Sequence, residues 1–327
     1  MKTNTIERMK KLSFGVFFLS VNCLLAQIHL VSPEKLEQQN TSTIHISAQT
    51  PVKNQGNGNT CSAFGVAAAL ETLPNMPKDI SENFLYSAQK YEQLDAETGV
   101  TRGNFLKSYI MSLPKYGILT EAALPYPNII AGTWNENDPE IMKALKESTT
   151  GPVTFLLKYK STAKKISLDS FEYLGQIDSK NVKHLKFLLD SGIKAIPVSY
   201  ELYIPAWKPF KAQKYHTITP DEGYGVLMQD GSYAKYSDIK SRFPDINERI
   251  NNQQVSFLRT VAPTANFNPY GGHVVTIVGY DSEGFIIKNS WGADWRYFGY
   301  ERISYDYHEL FAYEALVIKR VSYKEDN

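Results

Sequence analysis

Four residues of this chain carry side chains that nucleophilic catalysis needs, at spacings that allow them to act together. They are Gln55, Cys61, His273 and Asn289, with six residues from the first to the second and sixteen from the third to the fourth. A thiolate is a strong nucleophile, but it needs a base to hold its proton, and the base needs a group to orient it. Cys61 stands in "PVKNQGNGNTCSAFGVAAALE". Gly56, Gly58, Asn54, Asn57 and Asn59 precede it and favour tight turns. The small-residue apolar run after it predicts a buried helix. Cys61 is therefore expected at a helix N-terminus, where free N–H groups and the helix dipole favour a thiolate. The same N–H groups, with the Gln55 amide, suit a developing oxyanion. On composition alone Cys61 reads as a small buried hydrophobe; its neighbours favour the chemical reading.

The chain has six histidines. His29 and His45 lie near the N-terminus, His184 in a helical-looking run, His216 in a polar loop and His308 in a tyrosine-rich segment. His273 differs. It follows Gly271–Gly272 and opens "HVVTIVGY", a β-branched run that predicts a buried strand. Taken alone, a histidine at a strand start is more often structural. Asn289, however, ends the next apolar run, "FIIKN", and Trp291 follows it. Two adjacent strands place Asn289 beside the His273 ring, with Trp291 shielding the bond from water.

Those elements belong to a chain of 327 residues, 43% hydrophobic, with a formal net charge of +1. This is globular composition. The absence of charge blocks argues against a nucleic-acid or membrane-surface partner. Residues 1–26 read as a secretory signal, with Lys2, Arg8, Lys10 and Lys11 ahead of an apolar stretch from Leu12 to Ala26 that is too short to span a bilayer comfortably. An anchor helix, or a lipid anchor through Cys23, is the alternative. Once the signal is removed, Cys61 is the one remaining thiol, so no internal disulfide forms. In an oxidising compartment such a thiol is expected to be buried or used. No metal-ligand spacing, repeat or phosphate-binding glycine loop is present, and no cofactor is expected.

With these residues assembled, the chain resembles the papain-like cysteine peptidases (C1-type), in the manner of a secreted bacterial member without a recognisable propeptide. "PVKNQG" followed by Cys61, then "GGHVVTIVGYD" and "KNSWGADWRYFGY", match the family's three signature blocks in order. The resemblance implies Cys61 as nucleophile, His273 as general base and acid, and Asn289 as orienter. It also implies Gln55 and the Cys61 N–H as oxyanion hole, with Trp291 covering the His–Asn pair. For substrate backbone it implies Gly103, with Asn104 in place of a second glycine. The side-chain pocket would fall near Ile196, Pro197 and Gly272 and the 310–314 stretch, and it reads as apolar.

The implied fold is α+β in two lobes. Residues 27–49 form an N-terminal segment, 50–127 a helical lobe with Cys61, and 128–322 a β-rich lobe with His273 and Asn289; residues 323–327 are a tail. Extra sequence is expected near 128–180 and 211–268, because 212 residues separate Cys61 from His273, against roughly 130–150 in the family. The second insertion is expected to hold a short helical stretch broken near Pro244, and either to narrow the cleft as a flap or to be a surface excursion. The family's usual extra cysteine is replaced by Gly58, and the aromatic after the nucleophile by Ser62, so other packing must hold the nucleophile loop. The segment between Ala26 and the homologous region is too short for a propeptide domain. The expected activity is hydrolysis of peptide or protein substrates by an exported enzyme. A non-catalytic binding protein of the same fold, or an acyl-transferring or amidase-like enzyme using the same thiolate, is the alternative.

Overall fold

In this computed structural model, residues 42–56, 58–94, 105–126, 159, 161–208, 211–212 and 214–324 are described. They belong to one compact unit, Gln38–Asn327. In chain order the elements are β1 (Thr43–Ile44), α1 (Cys61–Glu71), α2 (Glu82–Leu94), α3 (Tyr109–Tyr116), β2 (Ile166–Leu174), α4 (Val182–Asp190) and β3 (Ile196–Tyr203). Next come β4 (Thr217–Ile218), β5 (Tyr224–Leu227), β6 (Tyr233–Ala234), α5 (Tyr236–Arg242), α6 (Ile246–Asn251) and β7 (Phe257–Arg259). The chain closes with β8 (Tyr270–Tyr280), β9 (Gly284–Lys288), β10 (Tyr300–Ser304), α7 (Tyr305–Phe311) and β11 (Ala312–Tyr323). Helices dominate the first part and strands the second, which is the α+β two-lobe arrangement that the sequence implies.

The main sheet runs β2-β11-β3-β8-β9-β10-β4. β1 pairs with the far end of β8, Thr43 opposite Tyr280. From His273 to Tyr280 every residue of β8 is buried, because the strand has a core on each face. Val275 and Ile277 point into the larger core, with Tyr200, Trp207, Phe285 and Tyr307. Val274 points into a second core with Ala63, Val66, Ala67 and Leu70 of α1. A strand buried on both faces reads as a continuous apolar run rather than an alternation, as this one does.

Alanines at positions 63, 67, 68 and 69 suit α1 to its role, since they favour the helix and let it lie close to the sheet. Gly65 marks the closest approach. A Cβ there would stand 2.8 Å from Val274 Cγ1 and 3.4 Å from Pro197 Cβ. Glycine inside a helix costs about 1 kcal/mol relative to alanine; here the space leaves little room for anything larger.

Residues 214–268 are packed onto the rest of the chain. β5, β6 and β7 make a separate three-stranded sheet, and α5 and α6 lie on either side of the expected break at Pro244. Tyr224, Val226, Tyr236, Ile239 and Ile246 all enter the larger core. The Asn247 amide donates to Asp306 and Glu309 at 2.8 and 2.7 Å, fastening α6 to α7.

Candidate active site

Cys61 is the first residue of α1 and is half-buried, while the rest of that helix is buried. The thiol sits against backbone N–H groups of Val274, Ser62 and Cys61 itself. Burial pushes the thiol up from its ordinary value, and those three N–H groups oppose it. Val274 immediately follows His273, so the sulfur is held beside the strand that carries the imidazole.

His273 is 5% exposed. Its Nε2 lies 2.8 Å from Asn289 Oδ1. The Ser290 N–H donates to the same oxygen at 2.8 Å, which fixes the amide with its oxygen toward the ring. β8 pairs with β9 at Thr276 and Lys288, and this pairing brings Asn289, just past the end of β9, next to His273. Trp291 stacks on the imidazole at 4.5 Å between ring centres, 28° from parallel. Burial pushes His273 down to about 4, against the bond to Asn289, which pulls upward. Each shift disfavours the charged form of its own group taken alone. The depressed thiol expected from the helix terminus is not found, because desolvation outweighs the N–H groups, and among the described residues no hydrogen bond joins Sγ to the His273 ring.

Gln55 is 5% exposed and tied at three points. Its backbone N–H donates to Ser290 O at 2.8 Å, its Oε1 accepts from Ser290 Oγ at 2.5 Å, and its Nε2 donates to Gly58 O. An amide nitrogen carries two hydrogens, so one remains for an oxyanion. The departure at Gly58 has a physical account. A Cβ there would meet Tyr126 Oη at 2.8 Å. That hydroxyl donates to Gln55 O at 3.1 Å and bonds Thr60 Oγ1 at 2.7 Å, and the ring packs edge-on against Phe64 at 4.9 Å. Tyr126 therefore braces the loop where a disulfide would otherwise do so. Ser62, in place of an aromatic, bonds the buried Tyr109 hydroxyl at 3.1 Å.

Behind the site lies a charged cluster. Lys53 bridges Glu71 at 3.2 Å and Glu82 at 2.7 Å, and Lys288 Nζ donates to Thr50 O at 2.8 Å. Burial pushes Glu82 up to about 7 and Lys288 down to about 8. The cluster joins Glu71, the last residue of α1, to the residue before Asn289.

The expected substrate-pocket residues fare unequally. Gly103 and Asn104 lie outside the described residues. Gly272 is exposed and opens onto free space. Ile196 is fully buried in the larger core, and Pro197 is buried beneath Gly65, so neither side chain faces solvent. The β3–β8 register explains the offset: Pro197 lies opposite Thr276, whereas Glu201 lies opposite Gly272. In the 310–314 stretch only Tyr313 is exposed, at 42%. Two residues beside the site were not anticipated. Trp207 packs edge-on to His273 at 6.1 Å and to Trp291 at 6.3 Å, extending the aromatic shield. Glu201 stands beside Gly272, and the strand alternation of "IPVSYELY" was the signal that could have found it.

Among curated proteins no sequence match was found. Residues 211–320 match the family described as papain family cysteine protease. Among solved structures, xylellain, a cysteine protease from Xylella fastidiosa, is 21% identical, with 89% of this chain and 90% of that one covered and a TM-score of 0.55. A cysteine protease from Carica candamarcensis is 17% identical, with coverages of 86% and 99% and a TM-score of 0.49. The first likeness carries the fold, and the match over residues 211–320 falls on the part of the chain that holds His273, Asn289 and Trp291. Fold and family match together support a papain-like cysteine-type peptidase.

Proposed function

We propose that this chain is an exported thiol peptidase that hydrolyses peptide bonds through an acyl-enzyme on Cys61. His273 removes the thiol proton as Sγ attacks the scissile carbonyl carbon. The resulting oxyanion accepts from the Cys61 N–H and the spare Gln55 amide hydrogen. Collapse of this intermediate expels the amine, which takes the proton from His273, and leaves a thioester. Water then attacks the thioester, with His273 again as base, and releases the acid and the free thiol. Asn289 keeps the imidazole turned toward Cys61, and Trp291 and Trp207 keep water from the bond between them.

The observation that carries this reading is the shielded His273–Asn289 pair one residue from the backbone group that holds Sγ. Each charge alone is disfavoured by burial, so the proton passes from thiol to imidazole within the pair, where opposite charges stabilise one another. Export rests on the N-terminal sequence. A peptide mixture incubated with the chain tests the reaction: fragments carrying one added water are expected. Ligated or amine-exchanged products instead would favour acyl transfer, and no products with an unlabelled Cys61 would favour a binding role.

A further inference from the structure

Strands β3 and β8 share a face that α1 covers only in part. Residues opposite one another in an antiparallel pair point to the same side. Pro197 with Thr276, Ser199 with Val274, and Glu201 with Gly272 therefore form three rows on one face. Gly65 of α1 lies over the first two rows, near Val274 Cγ1, Pro197 Cβ and Thr276 Oγ1. The helix begins at Cys61, whose sulfur meets the Val274 backbone. The third row lies beyond the start of the helix, where Gly272 is exposed. Glu201 is thus on the part of this face that α1 leaves uncovered, one row from the nucleophile.

A carboxylate in that position would attract a cationic substrate side chain, but here it is already occupied. Arg259 at the end of β7 holds it with two bonds, Nε to Oε1 at 3.0 Å and Nη2 to Oε2 at 2.5 Å. Tyr224 of β5 donates to Oε1 at 3.2 Å, and Tyr313 of β11 donates to Oε2 at 3.0 Å. Four donors saturate the carboxylate, and the paired fork is the strongest geometry open to it. The guanidinium is itself seated over the Tyr270 ring, 4.8 Å from its centre. Three of these five residues come from the inserted sheet and the strand it leads into.

We propose that Arg259 masks Glu201, so that the inserted sheet sets the substrate class: uncharged side chains are accepted next to the nucleophile and lysine or arginine side chains are rejected. The proposal rests on the peptidase reading for its biological meaning, but it concerns the charge of one floor position. Replacing Arg259 uncovers an acid, and replacing Glu201 uncovers a base.

The test uses the full chain without its signal and a fluorogenic peptide set in which leucine, lysine and glutamate are exchanged at each position around the cleavage site. Arg259→Met, which keeps the stem over Tyr270, is expected to raise kcat/KM for lysine over leucine at one position by about tenfold, equivalent to about 1.4 kcal/mol. Adding Glu201→Gln should cancel that gain. Glu201→Gln alone should instead raise the glutamate-to-leucine ratio at the same position, which keeps the proposal testable if one variant folds poorly. Affinities of the same peptides for Cys61→Ala versions read the pocket without turnover. Normal cleavage with unchanged ratios in both variants overturns the mask. Shifted affinities with no turnover in the chain that retains Cys61 would leave the mask standing and overturn the peptidase reading.

Discussion

The backbone N–H of Val274 meets the sulfur of Cys61, and Val274 is the next residue after His273. The nucleophile and its proposed base are therefore coupled through a single peptide unit of β8 rather than through a long path across the fold. Because Cys61 is only half-buried at the start of α1, Cys61→Ala should remove peptide hydrolysis while shifting the urea midpoint little. Residual turnover in a folded Cys61→Ala chain would rule out the thioester route.

Asn289→Ala should lower kcat by about 10²-fold or more, the scale of general acid–base catalysis, and change KM much less. The substitution removes the oxygen that holds Nε2. Steady-state kinetics on one reporter peptide separates the two effects.

The protonation of the pair can be read by alkylation. Burial raises the thiol and lowers His273 to about 4, so a thiolate formed alone would appear only above the ordinary thiol range. Proton transfer within the pair instead gives a reactive thiolate near neutrality. Iodoacetamide should therefore label Cys61 at pH 6–7 in the unmodified chain and only at higher pH in His273→Ala. Labelling confined to high pH in both chains would remove the ion pair from the mechanism.

His308 offers a stability test away from the chemistry. It is fully buried, its Nδ1 meets Tyr200 Oη at 2.7 Å, and burial pushes it down to about 3. A histidine lowered in the folded state binds a proton first when unfolded. Its contribution is present above about pH 6.5 and is lost as the pH falls from there toward 3. The stability difference between the unmodified chain and His308→Phe should thus move against the unmodified chain on acidification from pH 7 to 5. Urea titrations at the two pH values measure it; a pH-independent difference would contradict the burial argument. Taking the difference also cancels the opposite trend of Glu82 and Glu301, both raised to about 7 by burial.

Residues 43–49 bind at the end of the sheet remote from His273, seven β residues or about 23 Å along β8. Thr43 Oγ1 donates to Asp190 at 2.6 Å, and His45 Nε2 meets Leu189 O at 3.0 Å. Comparing residues 27–327 with 50–327, the shorter chain should gain no activity and should lose about 2–3 kcal/mol with these bonds. A large rate increase on truncation would mean that the segment before Thr43 blocks the cleft.

Much of the site was legible because its chemistry is local. The turn before Cys61, the strand that carries His273 and the short hairpin to Asn289 each lie within one stretch of sequence. Glu201 and Ile196 were not legible in the same way. Which residue of β3 stands opposite Gly272 depends on a pairing across about seventy residues, and a shift of four positions leaves the apolar pattern of the strand almost unchanged. Tyr126 escaped notice for a similar reason, since its role depends on reaching the nucleophile loop from 71 residues beyond Gln55. The insertion's two short helices were readable from Pro244, but not its anchoring, because Tyr224 and Ile246 look like surface residues until the core that receives them is known.

The close seat of Gly65 on Val274 has a mechanical consequence. Gly65 of α1 sits directly against Val274 of β8, so the nucleophile's helix and the base's strand meet at a point with no room for an added methyl. A change of one methyl at this contact therefore acts as a wedge. Gly65→Ala should gain about 1 kcal/mol of helix preference and lose about 1–3 kcal/mol to crowding. It should slow turnover more than it weakens the fold, since prising the walls apart lengthens the path of the transferred proton.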